Sequence, residues 1–435
     1  MGQAKSGYAL HLICGQIDVR NNTALTKMAS DNLVKHMLLD LISTKRPVTA
    51  AKLQSLSDVD WHSACAIAKQ HRIGPMLHNR IALLGLAAAV PLDVRDQWAG
   101  AYRKAAFRYL SFRKTLALLN HNLDTAQFPY AALKGAWLSQ YVYDNPVLRP
   151  LRDIDILVEP SSALAVYAVL EKNGFVRRDD FPMPLDSALN HAKHLPPMRC
   201  TDTGVYVEVH TRLMDAPPRS PVKHTLDDVP LLLERCEYHY GVPYLSPTDT
   251  LLHLIIHAAY DHQFNNGPLT FNDIAFLLES APIDWPRFWA MAHAGNWSRG
   301  CIMILELASF YHGAEAWREF HETGFPAPSL RQLENAALLS LQDYDHRGVI
   351  GLKAAIAGDT SWLGKARLLF NRAFPPLHRL AAFSGAATAS YWSILHYPGW
   401  LVTQMHRMIF VKTDADVMQD IDRAKDVRNW IYGKS

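Results

Sequence analysis

Hydrophobic residues recur at three- and four-residue steps along most of the chain, and that spacing predicts helices. Leu33, Met37, Leu38 and Leu41 set the pattern. Residues 61–81 repeat it, with Asp58 or Asp60 as the expected N-cap, and residues 107–123 form a further amphipathic stretch. The period changes near Gln127. Residues 128–133 are a short apolar run ending at Lys134-Gly135. Residues 136–143 return to a helical pattern before the turn residues Asp144, Asn145 and Pro146. Residues 153–158, Asp-Ile-Asp-Ile-Leu-Val, alternate as a half-buried strand does. Residues 162–173 read as a helix closed by Gly174, and residues 205–210, Val-Tyr-Val-Glu-Val-His, as a second alternating strand. From Ser246 onward the helical period resumes, with Ser246 or Thr248 as cap and Pro247 in the first turn.

These patterns predict an α+β chain. A small mixed β-sheet core at 124–245 lies between an N-terminal helical region at 31–123 and a C-terminal helical region at 246–435. Residues 1–30 lack periodicity and are expected to be loosely ordered. Two Pro-rich patches, 181–197 and 217–221, are expected loops; His191, Lys193 and His194 in the first could meet substrate phosphate, but a solvated loop is the expected reading. Trp285, Trp289 and Trp297 fall at helical spacing and are expected in a core, whereas the alternating charges of 414–434 suit a solvated helix.

Composition narrows the function. Lys and Arg total 44 against 41 Asp and Glu, a surplus too small for a dedicated nucleic-acid coat. The five cysteines are far apart and form no C-x-x-C pair, which argues against a disulfide framework or a four-cysteine zinc site and favours a reducing, cytoplasmic setting. No secretory signal pattern is expected at the N-terminus. The longest uncharged stretch, 380–405, contains Ser384, His396 and Pro398, so a buried helix pair is expected rather than a membrane span. Lys365, Arg367, Arg372 and Arg379 lie just upstream, which leaves residues 365–407 as a candidate membrane-surface contact.

The chemistry concentrates on the first predicted strand. Asp153 and Asp155 project from one face, with Cα atoms roughly 6.5–7 Å apart, while Ile154, Ile156 and Val158 face the other way. Two adjacent carboxylates repel unless a cation or a proton intervenes, and a hard divalent ion such as Mg2+ with oxygen ligands relieves them. On the second strand Glu208 shares a face with Tyr206 and His210, so it can join the aspartates if the strands are neighbours. Lys134-Gly135 lies 19 residues upstream of Asp153, where glycine permits close phosphate approach and Lys134 adds a point charge. Arg149 and Arg152 flank the acidic strand as phosphate clamps or as ion-pair partners of the aspartates. His253 and His257, with Asp261 and His262 a turn on, share a helix face; without Glu beside the first His they match the zinc-protease pattern poorly, and packed or cleft-lining histidines are expected. Asp273 is expected to cap its helix, with contact with the cleft as the lesser reading.

Leu133-Lys134-Gly135, the block Arg149-Pro150-Leu151-Arg152-Asp153-Ile154-Asp155-Ile156-Leu157-Val158 and Val207-Glu208-Val209-His210 resemble the uncharacterised nucleotidyltransferase family of the polymerase-β-type superfamily. Residues 68–75, 251–257 and 272–275 extend the resemblance across roughly 30–300. It implies an enzyme that transfers a nucleoside monophosphate from an NTP, with ATP expected, to a hydroxyl or phosphate of a small-molecule, sugar or peptide acceptor in biosynthesis. Mg2+ or Mn2+ would be held by Asp153, Asp155 and Glu208, which are also the catalytic residues. Lys134, Gly135, Arg149, Arg152 and His210 would serve the nucleotide. Two positions depart from the pattern: Ala136 replaces the Ser common after that glycine in the wider superfamily, and Thr211 stands where an aromatic residue often follows in this family. The alternative is a non-catalytic nucleotide- or peptide-binding module on the same scaffold. Asp155→Asn is expected to abolish transfer and leave the fold intact.

Overall fold

A computed structural model describes residues 30–178, 181, 183–214, 226, 228–320, 324–358, 361–384, 391–410 and 415–433 of the protein. The segment 1–29 and the Pro-rich patch 217–221 lie outside the described residues. Seven short strands make the sheet: β1 (Ala131–Ala132), β2 (Asp153–Leu157), β3 (Phe175–Arg177), β4 (Met198–Cys200), β5 (Tyr206–His210), β6 (Glu237–His239) and β7 (Val242–Tyr244). Their spatial order is β3-β4-β5-β2-β1-β7-β6. The two alternating sequences, β2 and β5, are central and parallel, with Asp153 opposite Tyr206 and Asp155 opposite Glu208. Ile154, Ile156, Val207 and Val209 are wholly buried on the opposite face, so a one-residue slip would exchange a hydrocarbon layer for a carboxylate layer. The hairpin β6–β7 turns through Tyr240 and Gly241, both at positive φ (51° and 79°), as a two-residue primed turn demands.

The N-terminal part is helical, with boundaries that differ from the periodicity. Ser57, not Asp58 or Asp60, is the N-cap of the helix Asp58–His71, and Asp60 completes a capping box. Arg72 at φ 57° ends that helix, so the 61–81 pattern is two helices, the second being Gly74–Leu83. The expected 107–123 helix is the C-terminal half of one 34-residue helix, Leu92–Thr125. Its Arg108 donates to the carbonyls of Leu151 and Arg152 and so pins the segment that enters β2.

C-terminal to the sheet, Ser246 caps the helix Pro247–Ile256 with Pro247 in its first turn, as expected. Trp285, Trp289 and Trp297 are buried. The helix Ala415–Ile431 is not solvated. Val417, Ile421, Ala424 and Val427 are buried at three- and four-residue steps, and an internal Asp420–Arg423 pair at 2.7 Å lies buried beside them. This apolar stripe packs on the helices Leu330–Leu339 and Arg347–Gly358; the alternating charges had masked it. The stretch 380–405 is also not a buried helix pair: the helices Leu377–Ser384 and Tyr397–Phe410 flank a turn at Tyr391–His396 whose Tyr391 and Trp392 are exposed. Among the described residues no helix is long and apolar enough to cross a membrane.

Candidate active site

The parallel register of β2 and β5 sets the acidic face beside a cavity of about 400 Å³. Asp153, Asp155, Glu208 and His210 line it from the sheet; Lys134, Gly135, Arg149 and Arg152 line it from the segments before β2. The cavity therefore gathers every site residue expected from the sequence. Ligand atoms of Asp155, Glu208 and His210 all lie within 4.8 Å of one another. Asp153, two residues back along the strand, lines the same cavity but stands outside that closest group.

Lys134 sits at φ 45°, ψ −112°, sparsely populated for a residue with a side chain. Leu133 N donates to Asp155 O at 2.9 Å on one side, and Leu138 N donates to Lys134 O at 3.0 Å on the other, so the kink is held from both ends. It directs Nζ onto Asp155 Oδ2 at 3.0 Å. Gly135 follows because the space is taken: a Cβ there would lie 2.5 Å from Arg149 Nη1 and 2.7 Å from Leu151 Cδ2. The short helix from Gly135 then widens into a π-helical turn at Leu138–Val142. A second π-helical turn at His257–Asp261 continues the helix Pro247–Ile256 on the far wall of the cavity; such turns re-aim side chains.

The electrostatics are those of an acidic cluster partly neutralised from within. Burial works against the Lys134 ammonium, but Asp155 and its neighbours outweigh burial and hold its pKa above the ordinary value. Burial likewise opposes the Asp155 carboxylate, yet Lys134 and His210 (Nε2 to Oδ1, 3.3 Å) drive its pKa well down. Burial lowers and Asp155 raises the His210 imidazole, with a net rise that favours the cation. Glu208 is lowered against burial by its contact with His210 at 3.5 Å. Asp153 bears the remaining repulsion: burial, then Asp155 and Glu208, push its pKa to about 7. Asp155 pairs with a buried lysine, so Asp155→Asn is expected to cost stability as well as transfer, because it removes the closest of the carboxylates that offset the Lys134 ammonium.

Arg149 is committed more deeply than expected. Its Nε and Nη2 donate to Asp273 Oδ1 and Oδ2 at 2.8 and 2.9 Å, and Tyr143 Oη donates to Asp273 Oδ1 at 2.8 Å. Asp273 is thus no helix cap. It lies buried inside the helix Leu269–Ser280, whose N-cap position is Pro268. Arg152 is exposed and lies over the Tyr344 ring, 5.6 Å from its centroid. The expected solvated loop at 181–197 contains a helix, Leu185–His191, and two site residues. His194 bridges to His210 and places Nε2 3.6 Å from Glu208, while Lys193 Nζ meets Asp261 3.3 Å away. Their sequence context of prolines and turn residues carried no strand signal; the bridge forms only because β5 lies alongside. His71, Arg72 and Tyr344, from regions remote in sequence, close the cavity; His71 and Arg72 lie in the 68–75 stretch of the family resemblance, whereas Tyr344 had no local signature. His253 and His257 are held neutral, well below the usual histidine range, by burial and then by Lys134; His257 lines the cavity, as one expected reading held.

A mixed sheet bearing three carboxylates and an imidazole at a polar cleft defines a group-transfer site suited to a hard divalent cation and an anionic substrate. Residues 57–312, more than half of the chain, match the model of the uncharacterised nucleotidyltransferase family, and the protein belongs to that family. It is accordingly a nucleotidyltransferase enzyme. No curated protein and no solved structure matches the chain.

Proposed function

We propose that the protein transfers a nucleoside monophosphate, with ATP as donor, to a hydroxyl or phosphate of a small-molecule, sugar or peptide acceptor, releasing pyrophosphate. The observation that carries this is the convergence of Asp155, Glu208 and His210 within 4.8 Å beside Asp153. The donor set fits a divalent cation: a pKa of about 7 at Asp153 marks negative charge that Lys134 and His210 leave uncompensated. Asp153, Asp155 and Glu208 would hold Mg2+ or Mn2+, and the ion when bound would offset charge on the triphosphate and polarise the α-phosphorus.

The chain's own residues do the rest. Lys134, beside Gly135, faces the phosphates with a charge held above the ordinary range. Arg149 keeps Nη1 turned toward Gly135 while Asp273 fixes its other nitrogens. Arg152 reaches the mouth of the cavity. Glu208, held ionised by His210, accepts the proton of the acceptor oxygen as that oxygen bonds to the α-phosphorus and pyrophosphate departs. The reading places the enzyme in the cytoplasm, with residues 365–407 touching a membrane surface. Incubation with Mg2+, each α-labelled NTP and panels of hydroxylated and phosphorylated acceptors tests it. Label transfer with pyrophosphate release is expected from ATP; NTP binding without transfer to any panel would leave a binding module and defeat the proposal.

A further inference from the structure

Residues 361–413 contain six Lys or Arg and no Asp or Glu, in a chain otherwise almost balanced in charge. On the helix Trp362–Ala373, Trp362, Leu363, Ala366, Leu369 and Phe370 fall at helical spacing on one stripe. Such a stripe ordinarily faces a core. Here Trp362 is 74% exposed, Leu363 62% and Phe370 60%. The turn Tyr391–His396 repeats the feature, with Trp392 at 76% and Leu395 at 70%. Phe374 links these parts, its ring 4.8 Å from Phe370 and 5.7 Å from Tyr397, so the exposed groups belong to adjoining elements. Arg367 and Arg379 are exposed among them.

We propose that this face docks on an anionic lipid bilayer, lying in the interface without spanning it. Charge complementarity selects the partner: a segment that carries basic and no acidic side chains, Arg367 and Arg379 exposed among them, favours an anionic one. The apolar groups select a bilayer over a nucleic acid, since Leu363, Leu369 and Leu395 offer nothing to a phosphate backbone but insert among acyl chains. Tryptophan and tyrosine suit the headgroup level, and the helix is too short to cross. The proposal rests on and deepens the membrane contact of the functional reading, whose acceptor would then be one held at a membrane.

The test is co-sedimentation of the full chain with vesicles of phosphatidylcholine alone or with about one-third phosphatidylserine. Binding is expected to the anionic vesicles, at least ~10-fold tighter than to neutral ones and weakened by salt. Arg367→Gln with Arg379→Gln should weaken it by roughly 10–30-fold. Trp362→Ser with Leu363→Ser should weaken it in both salt regimes, and circular dichroism should show an unchanged fold, since both side chains are exposed. Asp153→Asn should bind vesicles like the wild type, which separates this proposal from the catalytic one. Absence of vesicle binding, binding indifferent to these substitutions, or retention on RNA but not on vesicles would each overturn it.

Discussion

Replacing Asp153 by Asn removes a carboxylate that the folded protein holds at a cost. Its pKa rises from 3.8 to about 7, first through burial and then through Asp155 and Glu208. A carboxyl whose folded pKa exceeds its unfolded value stabilises the fold below pH 3.8; that stability is lost as pH rises toward about 7. At pH 8 the ionised group therefore costs about 1–4 kcal/mol. Asn matches the neutral carboxyl in shape and carries no charge. Urea denaturation at pH 8 without divalent ions should show Asp153→Asn more stable than wild type by that amount, and the gain should vanish by about pH 4. The same variant should lose nucleotidyl transfer, because a ligand for the cation is gone. Mg2+ should raise the wild-type Tm and barely move that of the variant. A variant less stable than wild type at pH 8, or one that keeps transfer, would refute the assignment of Asp153 as a strained member of the acidic site.

Asp155→Asn should abolish transfer and also destabilise by about 3 kcal/mol, since it removes the closest carboxylate offsetting Lys134; intact stability in a urea titration would contradict the buried pair. Asp273→Asn should cost about 3–5 kcal/mol, and adding Arg149→Gln should recover much of it; a double variant as unstable as the sum of both would deny their coupling. Gly135→Ala should lower stability by about 1–3 kcal/mol and reduce transfer, because the new methyl displaces Arg149; unchanged kinetics would mean that Arg149 does not serve the phosphates. Burial, then Arg80, lowers the His312 pKa from 6.5 to about 3, so His312 stabilises above pH 6.5 and loses that contribution as pH falls. His312→Gln should therefore lose about 2 kcal/mol less than wild type between pH 7.5 and pH 5, and parallel pH profiles in urea would exclude a neutral His312.

Much of the site was written locally. Alternation along 153–158 and 205–210 determined which side chains share a face, because a strand's two-residue period leaves no choice once one face is hydrocarbon. The Lys134-Gly135 junction was equally legible, since a lysine and a glycine between a strand and a helix combine charge with close approach. Helix boundaries were legible only in part: Ser57, next to the expected Asp58 and Asp60, makes the cap. Tertiary structure alone decided what meets these elements. Only the parallel pairing of β2 with β5 sets Asp155 opposite Glu208. Only the packing of a distant helix turns Asp273 from an expected cap into the anchor of Arg149. The last helix shows the same limit, its alternating charges concealing an apolar stripe until neighbouring helices cover it. The physical reason is common to all three: hydrophobic period and backbone sterics act between near neighbours in sequence, whereas ion pairing, burial and pKa depend on distances that no local pattern encodes.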